Sequence, residues 1–370
     1  MAEKKILYSH MTSKSIPVFL IGLLCANFCS CQVKEQPAEI YFSQFKDNAI
    51  GVYTIIHDDF GGHWAHGIED FADTMAYRRG IPFCFALIAG QCDEKDWENA
   101  SRMIGHGHQV VNHSMNHKCG VESEWCTAGN WDEKDFHQEI DSSSDLIQRH
   151  TGKFSAFFMF PFDLHTDTMI SYLKHQGFAG ARAGTQNDLE DLHSTDPFHL
   201  NFKAFQPGYT QGNLDSFAMS AMEKRAWAIR EVHGVQDESW GMINLRDYAG
   251  HLDNLQRWKK NHQLWVATLS DVLFYKMMKE RYQMYWYFDP EMRINKVEFP
   301  ERKDFKKENS KMYETLRTTA TDKRMTLILQ AQSNVSQVTQ NGKSVSFRRE
   351  KDKIIFDADP ELGEVEIFYK

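Results

Sequence analysis

Two short clusters hold residue types whose spacing could support hydrolytic chemistry. The first is Ile55-Ile56-His57-Asp58-Asp59-Phe60-Gly61-Gly62. Adjacent carboxylates after an apolar run repel each other unless a cation or a division of roles separates them. Glycines shortly after them, at 61 and 62, allow a tight turn, so both side chains can project into one pocket. The second cluster is Gly107-His108-Gln109-Val110-Val111-Asn112-His113-Ser114-Met115-Asn116-His117. His113 and His117 are four apart, so on a helical turn their imidazoles share a face, and paired histidines of this kind chelate metal ions. With a carboxylate from elsewhere the set becomes two His and one Asp, leaving positions open for water and substrate. The same residues in a surface turn, or packed as satisfied core histidines, would carry no chemistry.

The elements around these clusters must present them together. From residue 49 to about 275, short apolar runs alternate with amphipathic helical patterns. Ile50–Ile56, Ile81–Ile88, the stretch around Val110 and Val111, Phe154–Phe160, Trp227–Val232 and Leu264–Thr268 read as strands. Asp96–Ile104, Lys134–His150, Thr168–His175 and Arg246–Asn261 read as helices. That alternation predicts a parallel sheet or (β/α) barrel with its active residues at the C-terminal strand ends. Beyond about 285 the pattern changes. Residues 290–312 carry charges of both signs and read as a connector, then short strands follow at Met325–Leu329, Val345–Phe347, Ile354–Phe356 and Val365–Tyr369. Asn341-Gly342 is a hairpin signal among them. The expected division is 1–30 leader, 31–48 linker, 49–285 barrel, and 286–370 connector plus a small antiparallel β-sandwich-like domain.

Composition narrows the function classes. The chain has 370 residues with a formal net charge of −9, and 25% of its residues are charged. No basic footprint for nucleic acid is present, so a nucleic-acid partner is not expected. Seventeen histidines and 13% aromatic residues are compatible with metal binding, and the aromatics suit both cores and flat, amphipathic ligand surfaces.

Taken together, the two clusters resemble the motifs of the polysaccharide deacetylases of carbohydrate esterase family four. That family's Thr-Phe-Asp-Asp-Gly is matched by Ile56-His57-Asp58-Asp59, and its His-Ser/Thr-x-x-His by His113-Ser114-Met115-Asn116-His117. The resemblance implies an α/β fold, a distorted (β/α) barrel over roughly 49–285. It implies Asp58 as general base and Asp59, His113 and His117 as ligands of a divalent metal, with zinc the default and cobalt, nickel or iron also suited. The family's third motif, Arg-x-Pro, aligns on Pro161 as Met159-Phe160-Pro161, without the arginine that orients the catalytic aspartate. Arg182, at a later strand end, is the candidate to reach that carboxylate, and the backbone N–H of Phe162 falls where the family places an oxyanion donor. His233, after Trp227–Val232, fits the general acid. Trp64, Trp125, Trp131 and Trp240 lie beside the motifs and offer stacking surfaces or core packing. The implied activity is release of acetate from an N- or O-acetylated glycan. The rival readings are a glycan-binding envelope lipoprotein that has lost turnover, a non-haem iron oxygenase, and a purely structural lipoprotein.

The N-terminal stretch reads as an address. Lys4, Lys5 and Lys14 precede the apolar Ile16–Leu24, and Ser30-Cys31 follows. This is the layout of a secretory signal, and it resembles a bacterial lipoprotein signal in which Cys31 is lipidated. The expectation is an exported protein, periplasmic or outer-surface, anchored to a membrane by that lipid. An oxidising compartment permits disulfides, and the favoured local pairing of the remaining cysteines is Cys119–Cys126 and Cys84–Cys92. No CxxC spacing occurs among these four, so a structural zinc knot is not expected.

Overall fold

The computed structural model describes residues 39–370 apart from 125, 128, 290, 306 and 331–333. The expected leader, Cys31 as the expected lipidation site, and Trp125 lie outside the described residues. Among the described residues, seventeen strands follow in chain order. They are β1 Glu39–Phe42, β2 Gly51–Phe60, β3 Cys84–Leu87, β4 Gln109–Asn112, β5 Phe157–Met159, β6 Gly180–Arg182, β7 Lys203–Ala204, β8 Trp227–Val232 and β9 Leu264–Val266. The C-terminal set is β10 Tyr285–Asp289, β11 Ile294–Glu298, β12 Met325–Gln330, β13 Val335–Gln340, β14 Lys343–Ser344, β15 Phe347–Glu350, β16 Lys353–Ala358 and β17 Val365–Tyr369.

Strands β2–β9 form one parallel sheet in the order β6-β5-β4-β3-β2-β8-β7, with β9 beside the start of β2. Every residue of β2 is buried, as expected for a parallel strand covered on both faces. Ala181 and Gly184 donate to the carbonyls of Pro197 and Leu200, which carries the sheet past β6 into the segment leading to β7. The sheet therefore curls into the distorted barrel expected from the sequence. Alternate residues face two cores. Tyr53, Ile55, Phe85, Val110 and Val232 pack with the helices Glu94–Gly105, Gln211–Lys224 and Leu245–Lys260. Val52, Ile56, Val111, Met159 and Trp227 pack with helix Leu269–Arg281 and with both antiparallel sheets.

Those two sheets, ordered β1-β12-β16-β15 and β10-β11-β17-β13-β14, make the smaller β-module. Asn341 and Gly342 both take left-handed backbone (φ 51° and 72°), giving the two-residue hairpin in which Gln340 pairs with Lys343. Several expectations need correction. Residues 39–42, read as linker, are β1 and pair with β12. The 290–312 stretch, read as connector, contains β11 and the start of helix Lys307–Thr319, whose Tyr313 and Leu316 are buried. Its dense charges lie around an apolar stripe and hid it. Helix Gln211–Lys224 was also unforeseen. Cys119 and Cys126 are bonded, whereas Cys84 and Cys92 are free thiols. Among the described residues no helix is long and apolar enough to cross a membrane.

Candidate metal centre and active site

Consecutive residues on a strand point to opposite faces, so Asp58 and Asp59 should diverge. They do not, because Asp59 takes left-handed backbone (φ 68°) and the β2–β3 register shifts between His57 and Phe60. This bulge, rather than the following glycines alone, turns both carboxylates to one site. His113 leaves the end of β4, and His117 lies in the loop beyond it rather than on a helix as the spacing suggested. Left-handed Ser114 (φ 72°) and His117 (φ 55°) fold that loop back on itself. Side chains brace it. Asn112 Oδ1 accepts the Ser114 N–H at 2.8 Å, Ser114 Oγ accepts the His117 N–H at 2.9 Å, and Glu139 accepts the backbone and side-chain N–H groups of Asn116 at 2.9 and 2.8 Å. Left-handed non-glycine backbone costs about 1–2 kcal/mol per residue. Its concentration here, at Asp59, Ser114, His117, Phe162 and Asp163, marks a site held against local preference.

The result is a ligand set. His113 Nε2 and His117 Nε2 each lie 3.3 Å from Asp59 Oδ1, a buried oxygen that has no hydrogen-bond partner. Two ligands about 2.1 Å from a tetrahedral ion sit about 3.4 Å apart, so these spacings suit one ion. Protonation agrees with this. His113 Nδ1 is 2.9 Å from the Met159 carbonyl, which can only accept, so Nδ1 carries the proton and Nε2 presents its lone pair. Burial would raise the Asp59 pKa, but the neighbouring His113, followed by His117, holds it well below the carboxylate range. Burial and the neighbouring His113 bring His117 down to about 4.

A second His/Asp cluster fails the same test. Asp73, His106 and His108 converge on the other side of β3 and β4. His108 Nδ1, however, accepts the Phe83 N–H at 3.2 Å, so its proton sits on Nε2, 3.2 Å from Asp73 Oδ1. His106 Nδ1 and Arg102 Nε complete the pairing with Asp73 at 2.6 and 2.9 Å. The His108 nitrogen that faces Asp73 thus carries a proton rather than a lone pair, and with Arg102 the cluster is an ion-pair knot.

Asp58 is gripped by Arg182, whose Nη1 donates to Oδ1 at 2.9 Å and Nη2 to Oδ2 at 2.5 Å. Arg182 is 1% exposed, and it also bonds Asp163 at 2.9 Å and lies 3.6 Å from Glu231. Burial raises the Asp58 pKa, but the Arg182 charge overrides it and keeps the group below its ordinary range. Burial pushes Glu231 well up. Asp58 Oδ2 lies 3.9 Å from His113 Nε2, which sets this carboxylate beside the ligand cluster. Asp163 and Glu231 were not singled out from the sequence. Glu231 sits two residues before His233 at the end of β8, and that position was the available signal.

His233 Nε2 faces Asp59 Oδ2 at 3.8 Å, and its ring meets Trp240 edge-on with centroids 5.4 Å apart. His57 stays a packing residue, as expected. It donates from Nδ1 to the His233 carbonyl at 2.6 Å and accepts Tyr248 Oη on Nε2 at 2.9 Å, and burial lowers it to about 4. Phe162 is left-handed (φ 58°) and 53% exposed, and its ring lies 4.8 Å from that of His117. Trp64 and Trp240 are 38% and 53% exposed beside the site, whereas Trp131 is buried in a separate aromatic core.

The parallel α/β barrel thus gathers two histidines and paired aspartates at its strand ends, a donor set that suits a divalent ion. Residues 54–181 match the family model for polysaccharide deacetylase, which bears out the resemblance of the motifs. The match ends just before Arg182 and well before His233. Among solved structures, the chain is similar to the Xyl-CE4 domain of a multidomain xylanase from the hindgut metagenome of Trinervitermes trinervoides, at 16% identity over 60% of this chain and 89% of that one, TM-score 0.42. It is also similar to a family 4 acetyl xylan esterase from Clostridium thermocellum in complex with a cobalt ion (13% identity, 60% and 90% covered, TM-score 0.38). A third is a putative polysaccharide deacetylase from Mycobacterium smegmatis (11% identity, 67% and 96% covered, TM-score 0.43). No curated protein matches the chain.

Proposed function

We propose that this protein hydrolyses N- or O-acetyl groups on a polysaccharide or oligosaccharide, with a divalent ion held by Asp59, His113 and His117. The observation that carries the reading is the partnerless Asp59 Oδ1 facing the Nε2 atoms of His113 and His117 at 3.3 Å, with an ionised Asp58 alongside. Imidazole and carboxylate together suit zinc, and cobalt, nickel and iron fit the same donors. Such an ion supplies Lewis acidity for an acyl carbonyl and a water of lowered pKa.

The chain's own groups account for the rest. Asp58 accepts the water proton on a carboxylate lone pair that Arg182 leaves free, since each oxygen has two. Arg182 fixes the direction of that carboxylate and keeps it ionised. The Phe162 N–H, on the turn beside His117, is the oxyanion donor. His233 gives a proton from Nε2 to the departing nitrogen or oxygen. Trp240, edge-on to His233, and the exposed part of Trp64 offer walls to a sugar ring.

A turnover-deficient glycan-binding protein is the second reading, and the missing third-motif arginine is its ground. The Arg182–Asp58 pair weakens that ground, because the expected guanidinium contact is made from another strand. The disulfide Cys119–Cys126 supports an oxidising, exported setting, for which lipid anchoring at Cys31 is the proposed address. Acetate release from a panel of acetylated glycans, with chelator and then metal restoration, is the test. Chelator-sensitive release supports hydrolysis, and metal-replete protein that binds glycan without releasing acetate supports the second reading.

A further inference from the structure

Asp59 has two carboxylate oxygens, and only Oδ1 faces the histidines. Oδ2 accepts the indole N–H of Trp64 at 3.0 Å and lies 3.8 Å from His233 Nε2. A carboxylate free at both oxygens can close on an ion with both, or turn one of them to the nearby imidazole. Either rearrangement would take up a position that water or substrate needs, or would tie down His233. We propose that Trp64 is a positioning residue that keeps Asp59 a one-oxygen ligand and keeps its second oxygen away from His233. The inference rests on the metal-site reading above.

The backbone holds Trp64 in place for this. The Gly62 N–H bonds the Asp59 carbonyl at 2.9 Å and the Ala65 N–H bonds the Gly62 carbonyl at 3.0 Å, so a tight turn returns the indole to the carboxylate five residues earlier. The turn is then moored to the loop after β8. The Gly67 N–H donates to Asp237 Oδ2 at 2.8 Å, and His66 Nε2 lies 3.2 Å from Glu238. The mooring requires glycine, because a Cβ on Gly67 would lie 1.9 Å from the Val235 carbonyl oxygen. A ring that served only to stack on substrate would need neither the N–H contact nor this anchorage.

Trp64→Phe keeps a ring and removes the donor. With Co²⁺ and Zn²⁺ alone as probes, the wild type should bind one ion per chain, and the variant should bind about 10–100-fold more weakly. Its visible Co²⁺ absorption should also shift as the carboxylate changes from one-oxygen to two-oxygen contact. In the wild type, the indole N–H resonance of Trp64 should move on Zn²⁺ addition. An unchanged dissociation constant and Co²⁺ spectrum in Trp64→Phe, with ion binding intact in the wild type and lost in His113→Ala, overturns the Trp64 inference alone. Absence of ion binding by the wild type overturns the metal-site reading, and this inference with it.

Discussion

Met159 and Arg182 are register partners across β5 and β6, and the guanidinium that Met159 cannot supply reaches Asp58 from the neighbouring strand. Register partners share a face of the sheet, so an arginine one strand over still meets the same carboxylate. Met159 keeps a different duty, because its carbonyl fixes the His113 tautomer. Arg182→Met should lower acetate release roughly 100- to 10,000-fold, the usual reach of a general base, while the ion dissociation constant stays within about twofold. It should also lower stability by about 3–5 kcal/mol, since Asp58, Asp163 and Glu231 lose their shared cation. Release assays and metal titration on folded Arg182→Met and Arg182→Lys check this, and an unchanged rate removes Arg182 from the site.

Asp58 and Asp59 should separate by function. Asp58→Asn should retain stoichiometric ion but release acetate at no more than about 1% of the wild-type rate. His113→Ala should lose both ion and release. Metal analysis after dialysis, paired with the release assay, distinguishes the two, and full activity in Asp58→Asn ends the mechanism.

The Asp73 knot gives a stability prediction with a pH signature. Burial would raise Asp73, but hydrogen bonds from His108, His106 and Arg102 bring it down to about 2. Its folded pKa is below the unfolded value of about 3.9, so its contribution is complete above about pH 4 and fades as pH falls through about 2. Asp73→Asn should cost about 1.5–3 kcal/mol at pH 7, the range for charged hydrogen bonds. Urea melts of both proteins from pH 7 to pH 2 should show the gap closing at the acid end. A constant gap would show that the carboxylate charge is irrelevant.

Gly67→Ala should displace the Trp64 turn without touching a ligand, at about 1–3 kcal/mol of stability from the forced clash. Ion affinity should fall in the same direction as in Trp64→Phe. Wild-type affinity in a measurably destabilised Gly67→Ala would show that the mooring does not govern the site.

Cys119 and Cys126 close a short loop just after His117. The chain-entropy relation gives about 2.5 kcal/mol for a loop of this length, so reductant should lower the unfolding midpoint and weaken ion binding together. A Cys119→Ser variant that is insensitive to reductant and already weakened would confirm the source, and an equally stable variant would refute it.

Much of this was legible because it depends on residue type in sequence. The apolar runs ending in Asp58-Asp59 and in Asn112-His113 announced strand ends carrying polar groups, and the hairpin at Asn341-Gly342 followed from its turn chemistry. What stayed hidden depends on backbone sign and on partners distant in sequence. Nothing in Asp59 itself declares a left-handed φ, and the four-residue spacing of His113 and His117 suggested a helix where two left-handed residues do the same job. Arg182 was found as a strand-end arginine, but Glu231 and Asp163 gather round it only once the sheet curls. Trp64 was read as a stacking surface because an indole ring advertises area, while its N–H matters only beside Asp59.

The pairing of β1 with β12, Ile40 opposite Leu329, joins segments from opposite ends of the chain. Closing so long a loop from an unstructured chain is entropically slow. Once β2–β9 and helix Leu269–Arg281 have formed, the two segments are already neighbours, and the closure becomes a local docking at high effective concentration. The β-module is then the clasp that ties the two ends of the barrel region together. A chain truncated at residue 285 would leave β1 without its sheet and strip one side from helix Leu269–Arg281, so the C-terminal module is an integral wall of the barrel's core rather than a detachable appendage.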